Sequence, residues 1–335
     1  MMSVLNTAVI GVGHLGRHHA RVYSSLPGCR LIGVVDPDAE RAAEIAAKHG
    51  AETFATHRDL IGQVDAVSIA APTSNHHEIA LDMLGAGVHV LVEKPITKTL
   101  AEADELVTAA GERGLKLAVG HIERFNPAVV AAVKHITNPR FIEADRISPF
   151  SFRSVDISVV HDLMIHDIDL LLHFVDSDVA EVQALGVGVL TTSEDIANAR
   201  LVFENGCIAY AKASRVSMKQ LRKIRLFQRD AYLSMDFVKK EAVLFRKSPD
   251  FDPSKVDIAS MASGGIAELT KLVFSKFLTR EVLPMDEEDQ LEAELGDFVD
   301  AIRDDHPPAV TGAHGRRALA TAERIVAAIA AHSWE

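Results

Sequence analysis

The segment Gly11-Val12-Gly13-His14-Leu15-Gly16 constrains this chain more than any other feature, because it stands between the apolar run Thr7–Ile10 and a helical pattern. Strand, glycine turn and helix in that order make a dinucleotide-binding fingerprint. The first glycine permits the tight turn, the second lets the backbone approach a pyrophosphate, and the third allows close helix packing. The helix N-terminus then faces the phosphates, with His14 and Leu15 inside the turn. Asp36 ends the second apolar run, Leu31–Val35, at the spacing where a carboxylate accepts from the adenosine ribose hydroxyls. Asp36, with Pro37 and Asp38 after it, repels a ribose phosphate, so NAD is expected over NADP; Arg41 tempers that preference.

Further apolar runs at Ala66–Ala70, Val88–Val92 and Lys116–Val119 alternate with helix-like stretches, the rhythm of a parallel sheet with helical crossovers. Residues 1–122 are therefore expected to form a doubly wound Rossmann domain. Beyond about residue 140 the runs Phe141–Ile147, Ile196–Phe203, Cys207–Ser214, Lys223–Phe227 and Ala231–Phe237 succeed one another, with turn signals such as Glu204-Asn205-Gly206. Residues 123–335 are expected to form a second α/β domain with a large open, mostly antiparallel sheet and helices over Glu287–Ile302 and Ala313–Ala331. The stretch 248–283 carries no readable chemistry. A large sheet with too few helices to cover both faces predicts a homodimer or homotetramer packed sheet to sheet.

A formal charge of -12 over 335 residues opposes a polyanion, so no nucleic-acid partner is expected. Cys29 and Cys207 have neither metal-ligand spacing nor the density of a disulfide framework. The start MMSVLNTAVIGVG lacks a basic leader region, and no uncharged run is long enough to span a bilayer. The cytosol is the expected compartment, with no membrane partner.

Ligands of open α/β sheets sit beyond the carboxyl ends of the strands. Ala71-Pro72-Thr73 with His76 lies there, either as a helix-capping polar cluster or on the nicotinamide side of the site. Glu93-Lys94-Pro95 lies beyond the next run; Pro95 disfavours a helical backbone at Lys94, whose ammonium is either solvated or placed to hold a substrate oxygen. Beyond the fifth run comes Gly120-His121-Ile122-Glu123-Arg124-Phe125-Asn126-Pro127, with Asn126 as N-cap and Pro127 in the first helical position. Arg124 either clamps an anionic substrate or pairs internally with a carboxylate such as Glu123.

The stretch 161–173 reads as a helix on which Asp162, His166, Asp169 and His173 fall within a stripe of about 60°. Met164, Ile168, Leu171 and Val175 fill the opposite face. Ionisable groups on so apolar a helix need partners or a cavity. Alcohol oxidation requires a base for the hydroxyl proton as hydride leaves carbon, and an imidazole titrating near neutrality suits it. His166 takes that role, Asp162 orients it or shares its charge, and Lys94 stabilises developing alkoxide character. A divalent-metal site through His166, Asp169 and His173 is the alternative reading; no metal is expected, since lysine and dinucleotide already supply the chemistry.

Together, GVGHLG, Pro72-Thr73 with His76, Glu93-Lys94-Pro95, and Asp162 followed by His166 resemble the glucose-fructose oxidoreductase / inositol dehydrogenase / MocA family over essentially the whole chain. That resemblance implies Lys94, Asp162 and His166 as a catalytic triad and NAD(P)-dependent redox chemistry on a sugar, inositol or nucleotide-sugar hydroxyl. The stretches 120–127 and 162–169 look like the branch that oxidises the 3-hydroxyl of UDP-N-acetylglucosamine, whose 3-keto product is aminated on the way to lipid A carrying a 2,3-diamino sugar. Asp156-Ile157-Ser158-Val159-Val160 stands where many members have a glycine pair, so the substrate loop differs. A UDP-sugar needs diphosphate partners, for which Arg124, Arg153 and the group Arg215, Arg222 and Arg225 are candidates, the alternative being that the strand arginines serve solubility or the interface; Glu123 and Asn126 are further substrate candidates. The rivals are a dehydrogenase of a free polyol or sugar such as myo-inositol, and a non-catalytic NAD-binding sensor.

Overall fold

The computed structural model describes residues 4–150, 157–248 and 278–332. By its contacts the chain divides into two compact units, Met1–Phe125 with Glu287–Arg324, and Asn126–Asp286 with Ile325–Glu335.

The first unit is built on six strands: β1 (Leu5–Ile10), β2 (Cys29–Val35), β3 (Glu52–Phe54), β4 (Ala66–Ile69), β5 (His89–Glu93) and β6 (Leu117–Gly120). All pair in parallel, in the order β3-β2-β1-β4-β5-β6. Helices α1 (Gly16–Tyr23), α2 (Ala39–His49), α3 (His76–Gly85) and α4 (Leu100–Arg113) make the crossovers. Every residue of β4 and β6 is buried, as a sheet covered on both faces requires. The helices begin and end where local chemistry dictates. Asp38 caps α2 by accepting from the Arg41 amide, Thr99 and Glu102 form a capping box on α4, and the left-handed Gly50 and Gly114 stop the two helices. The winding reverses between β1 and β4, the place where such sheets open a ligand crevice. β3 has no apolar run behind it and is not visible in the sequence.

Two apolar clusters fill this unit. One joins Ile79 and Met83 of α3 to Leu106 of α4, and the other joins Val22 and Tyr23 of α1 to Ile45 of α2. Helices α7 (Gln290–Arg303) and α8 (Gly312–Ala330) contribute to them: Leu295, Phe298 and Val299 enter one cluster and Leu319 the other. Glu287–Arg324, placed in sequence with the second part, is thus grouped with the first by its buried apolar face.

The second unit carries β7 (Phe141–Ile147), β8 (Val179–Val187), β9 (Ile196–Phe203), β10 (Ile208–Ser214), β11 (Leu221–Phe227), β12 (Ala231–Asp236), β13 (Glu241–Lys247) and β14 (Leu278–Val282). The eight run in the order β14-β13-β12-β11-β7-β10-β9-β8, antiparallel except for the parallel pair β7 and β10. Burial alternates along the strands, so one face is core and the other open. Helix α5 (Pro127–Val133) packs on β12 and β13, and α6 (Ile165–Val175) on β7 and β10. The buried side chains of those last two strands include Ala144, Ala209, Ala211 and Ala213, small enough for a helix to lie close. Aromatic rings line the open face: Phe141–Phe227, Phe227–Tyr232 and Tyr232–Phe245 have centroids 5.7, 4.7 and 5.2 Å apart.

One local expectation is corrected. Val160–Met164 is a π-helical turn and the α-helix starts only at Ile165, so Asp162 and His166 stand on two joined helical turns of different pitch rather than on one continuous α-helix. No helix of the described residues is long and apolar enough to cross a membrane.

Candidate active site

In the first unit the three glycines divide the labour of the turn. Gly11 has φ +86, and a Cβ there would meet the Ala70 carbonyl oxygen at 2.8 Å. At Gly16 a Cβ would sit 1.7 Å from the Gly11 carbonyl oxygen, so only glycine lets α1 come this close. Gly13 has nothing within 4 Å of its Cβ position, which leaves open space where a pyrophosphate approaches the main chain. His14 and Leu15 are exposed in this turn, and α1 begins with no side-chain cap and no acid in its first turn, so no side chain of its own competes with an anion at the positive end of its dipole.

Asp36 lies beside this turn. Its Oδ2 accepts from the Val12 amide at 2.8 Å; its Oδ1 accepts from the Asp38 amide at 2.9 Å and from Arg41 Nη2 at 2.6 Å. Burial pushes the carboxyl up, but the Arg41 hydrogen bond and the two amides outweigh it and hold Asp36 below the usual carboxylate range. The side chain is therefore an oriented anion at the end of β2, fit for ribose hydroxyls. The Arg41 side chain is 42% exposed and also reaches Asp38 at 3.2 Å. These features fit NAD: open space at Gly13, a first turn of α1 with neither side-chain cap nor acid, and a fixed carboxylate after β2.

The tips of β4 and β5 are tied together by His76. It is 1% exposed, with Nε2 2.9 Å from the Ala71 carbonyl oxygen and Nδ1 3.0 Å from that of Pro95. Burial lowers its pKa against the pull of those carbonyls and of Glu93. The ring thus lies between the carbonyl of Ala71, before Pro72 and Thr73, and that of the residue after Lys94, and in its neutral form donates its single N–H to one of them. The Lys94–Pro95 peptide is cis. Glu93 receives His19 Nε2 at 2.9 Å, and a Cβ on Gly120 would lie 2.9 Å from the Glu93 carboxyl, so that glycine makes the room. Burial raises the Glu93 pKa, yet the contact with His19 and the charge of Lys94 win, and it stays below its ordinary value. The sequence reading missed His19. Its signal was its spacing from Gly16, which turns it inward on α1, where it is 1% exposed.

Past β6, His121 and Glu123 are buried while Arg124 is half-buried. Asn126 caps α5 by accepting from the Ala128 amide at 3.0 Å, and Pro127 holds the first helical position as expected.

In the second unit, Asp162 lies in the π turn and His166 in the first turn of α6, both half-buried. Asp167 next to His166 is gripped by Arg146 of β7 through Nε at 3.0 Å and Nη2 at 2.9 Å. Asp169 is 1% exposed, His166 is half-buried and His173 is exposed. Of the diphosphate candidates, Arg215 is buried on Asp195 at 2.8 Å and Arg225 pairs with Glu143 at 2.7 Å. Arg215 is thereby enclosed within the unit, whereas Arg225 is paired but stays 40% exposed. Arg153 lies outside the described residues.

A parallel sheet in this order, an open glycine turn and a carboxylate after β2 define a nicotinamide-dependent oxidoreductase. The family comparisons agree. Residues 5–121 match the model described as an oxidoreductase family with NAD-binding Rossmann fold, residues 135–232 match the GFO/IDH/MocA C-terminal domain, and the chain belongs to that family. It is 39% identical over 328 residues, 98% of each chain, to UDP-N-acetylglucosamine 3-dehydrogenase of Acidithiobacillus ferrooxidans. A solved structure of an enzyme of that name and organism superposes with a TM-score of 0.87 over 97% of each chain, at 39% identity. An inositol 2-dehydrogenase of Rubrobacter xylanophilus is 35% identical over 190 residues, 53% of this chain and 54% of that one. Levoglucosan dehydrogenase, solved with NADH and levoglucosan, shares the fold at a TM-score of 0.83 and 19% identity, over 99% of this chain and 98% of that one.

Proposed function

We propose that this NAD-dependent oxidoreductase oxidises the 3-hydroxyl of UDP-N-acetylglucosamine to a ketone. The observation that carries the reading is the 39% identity over 98% of both chains to a dehydrogenase named for that substrate. NAD, when bound, accepts the hydride from the sugar carbon. His166 takes the hydroxyl proton, Asp162 orients the imidazole and shares the charge it acquires, and the Lys94 ammonium holds the substrate oxygen and stabilises its developing negative charge. Gly11, Gly13, His14, Leu15 and Gly16 seat the pyrophosphate, and Asp36 with Arg41 holds the adenosine ribose. Ala71, Pro72, Thr73 and Glu93 frame the nicotinamide side, with His76 fixing that frame. Glu123, Arg124, Asn126 and Arg153 are assigned to the sugar nucleotide.

Residues 1–122 are proposed as the cofactor domain, with 287–324 packed into its core, and the rest of 123–335 as the substrate and assembly region. The 3-keto product has the chemistry an aminotransferase consumes, in keeping with a 2,3-diamino sugar for lipid A and with a cytosolic enzyme. The open aromatic face of the second sheet is proposed to pair with a second copy of the chain. A free polyol is the second reading, favoured by the 35% identity to an inositol 2-dehydrogenase over part of the chain.

The test is NADH formation with UDP-N-acetylglucosamine, myo-inositol and free N-acetylglucosamine, each with a ketone trap to pull the equilibrium. Turnover of the UDP-sugar alone, with a 3-keto product by NMR, is expected. Turnover of myo-inositol alone would replace this reading with the second.

A further inference from the structure

Arg215 and Asp195 are among the most enclosed charges of the second unit, with side chains 4% and 0% exposed, and the proposed chemistry uses neither. Their surroundings form one block. Asp195 ends the loop between β8 and β9, and its Oδ2 accepts from three successive amides, Val189 at 2.8 Å, Leu190 at 2.6 Å and Thr191 at 2.9 Å. Its Oδ1 accepts from the Thr191 hydroxyl and from Arg215 Nε, each at 2.8 Å. Arg215 Nη2 donates to the Thr191 and Ser193 hydroxyls at 2.9 and 3.3 Å. An anion that gathers three amides and a guanidinium makes this loop a rigid piece rather than a flexible connection.

The remaining arm of Arg215 leaves the loop: Nη1 donates to the Ile157 carbonyl at 2.6 Å. The Val159 amide donates back to the Glu194 carbonyl at 3.0 Å. Between them Ser158 starts the helical path, its hydroxyl accepting from the Val160 amide at 3.2 Å and its carbonyl from the Asp162 amide at 3.0 Å. The main chain leading into the π turn is therefore held from the block on both sides of Ser158, and Asp162 hangs directly from that hold. A buried ion pair adds little stability over an apolar filling, but it fixes position, because each hydrogen bond has one direction.

We propose that Arg215 is a positioning residue for the reaction: by pinning Ile157 to the Asp195 loop it fixes where Asp162 and His166 stand. This rests on the reading of those two residues as reacting groups. Arg215→Ala removes the pin. Arg215→Lys, the milder variant should the first fail to fold, reaches Asp195 but does not span to Ile157 as well. Leu244→Ala, in the fully buried core of β13 near the other edge of the sheet, is the control, compared with Arg215→Ala at equal distance below the melting temperature of each.

The experiment measures kcat and KM with UDP-N-acetylglucosamine and NAD, NADH binding by fluorescence, and amide hydrogen exchange on the full chain. For Arg215→Ala, kcat falls about 100-fold, the scale of a misplacement near 1 Å. NADH affinity is unchanged, exchange rises in 157–165 and 188–195 alone, and added guanidinium ion restores part of kcat; Leu244→Ala keeps kcat. Wild-type kcat in Arg215→Ala and Arg215→Lys, or the same loss in Leu244→Ala at equal distance below its melting temperature, overturns the proposal. So does exchange that rises across the whole unit, a result independent of the substrate used. His166→Asn separates the two ideas: its collapse with Arg215→Ala active sinks the latch alone, whereas its full activity sinks the reading beneath it.

Discussion

Replacing Asp36 by serine should weaken NAD and admit NADP, and the structure sets the size of both effects. The carboxylate is held by the amides of Val12 and Asp38 and by Arg41, so it is an anion already oriented when a ribose arrives. One charge-assisted hydrogen bond lost to a ribose hydroxyl costs about 1.5–3 kcal/mol, or about 10- to 150-fold in kcat/KM for NAD. A ribose phosphate about 4 Å from this carboxylate meets a repulsion of about 4 kcal/mol at an effective dielectric of 20, reduced by the Arg41 guanidinium beside it. Serine removes the repulsion and releases Arg41, whose side chain is 42% exposed, to meet the phosphate. The ratio of kcat/KM for NAD over NADP should therefore fall by at least about 100-fold. Initial rates at 340 nm against both cofactors, with sugar substrate saturating, give the ratio. An unchanged KM for NAD in Asp36→Ser, or a wild-type enzyme that prefers NADP, refutes the assignment of Asp36 to the ribose.

Four further outcomes are expected. His166→Asn should cut turnover by about 100- to 10,000-fold while NADH titration by fluorescence stays as in wild type; equal loss of both would make the helix structural. Arg146→Ala takes two charge-assisted hydrogen bonds from the Asp167 carboxylate, 3% exposed, and should cost about 3–5 kcal/mol in denaturant unfolding of the second unit; Arg146→Met combined with Asp167→Leu should recover most of it. Burial raises the Asp195 carboxyl, but the Leu190 amide, Arg215 and Thr191 lower it well below the usual range. Its stabilisation is therefore present above about pH 4 and drains away as pH falls through the depressed value, so Asp195→Asn should flatten the acid limb of a urea-midpoint against pH curve. Tyr232→Glu, in the stacked row between Phe227 and Phe245, should shift the mass by light scattering toward one chain; a wild-type monomer at micromolar concentration would refute sheet pairing.

Features that depend on neighbouring residues are legible in the amino-acid sequence itself. The turn Gly11–Gly16, the capping of α5 by Asn126 and the runs behind β7 and β9 each follow from short-range sterics or hydrophobic period, and the fold places them where these predict. Features that depend on distant partners are not. β3, of three residues, lacks an apolar run, and β8 alternates with a largely exposed face, so neither carries a strong signal. The π turn that carries Asp162 departs from the α-helical wheel drawn through 161–173, and nothing in its composition announces it. Arg215 and Arg225 read as free cations for a diphosphate because their carboxylates, Asp195 and Glu143, are 20 and 82 residues away in sequence. His19 escapes notice for the same reason, its partner Glu93 lying on a different strand tip.

The residues hidden from sequence reading share a physical role, and that role explains why charge is buried at all. Arg146–Asp167 fixes the first turn of α6, Arg215–Asp195 fixes the chain before it, His76 joins two strand tips, and His19 holds Glu93 beside Lys94. Apolar side chains in those places would fill the same volume at lower desolvation cost, but a methyl contact slides where a hydrogen bond does not. Hydride transfer depends on donor and acceptor carbons held in near-attack geometry, where a displacement near 1 Å costs about 100-fold in rate. The buried ionic and imidazole contacts are thus better understood as setting position than as adding stability. Within each unit they surround the groups assigned to the chemistry, and their removal should be felt in kcat before it is felt in cofactor affinity.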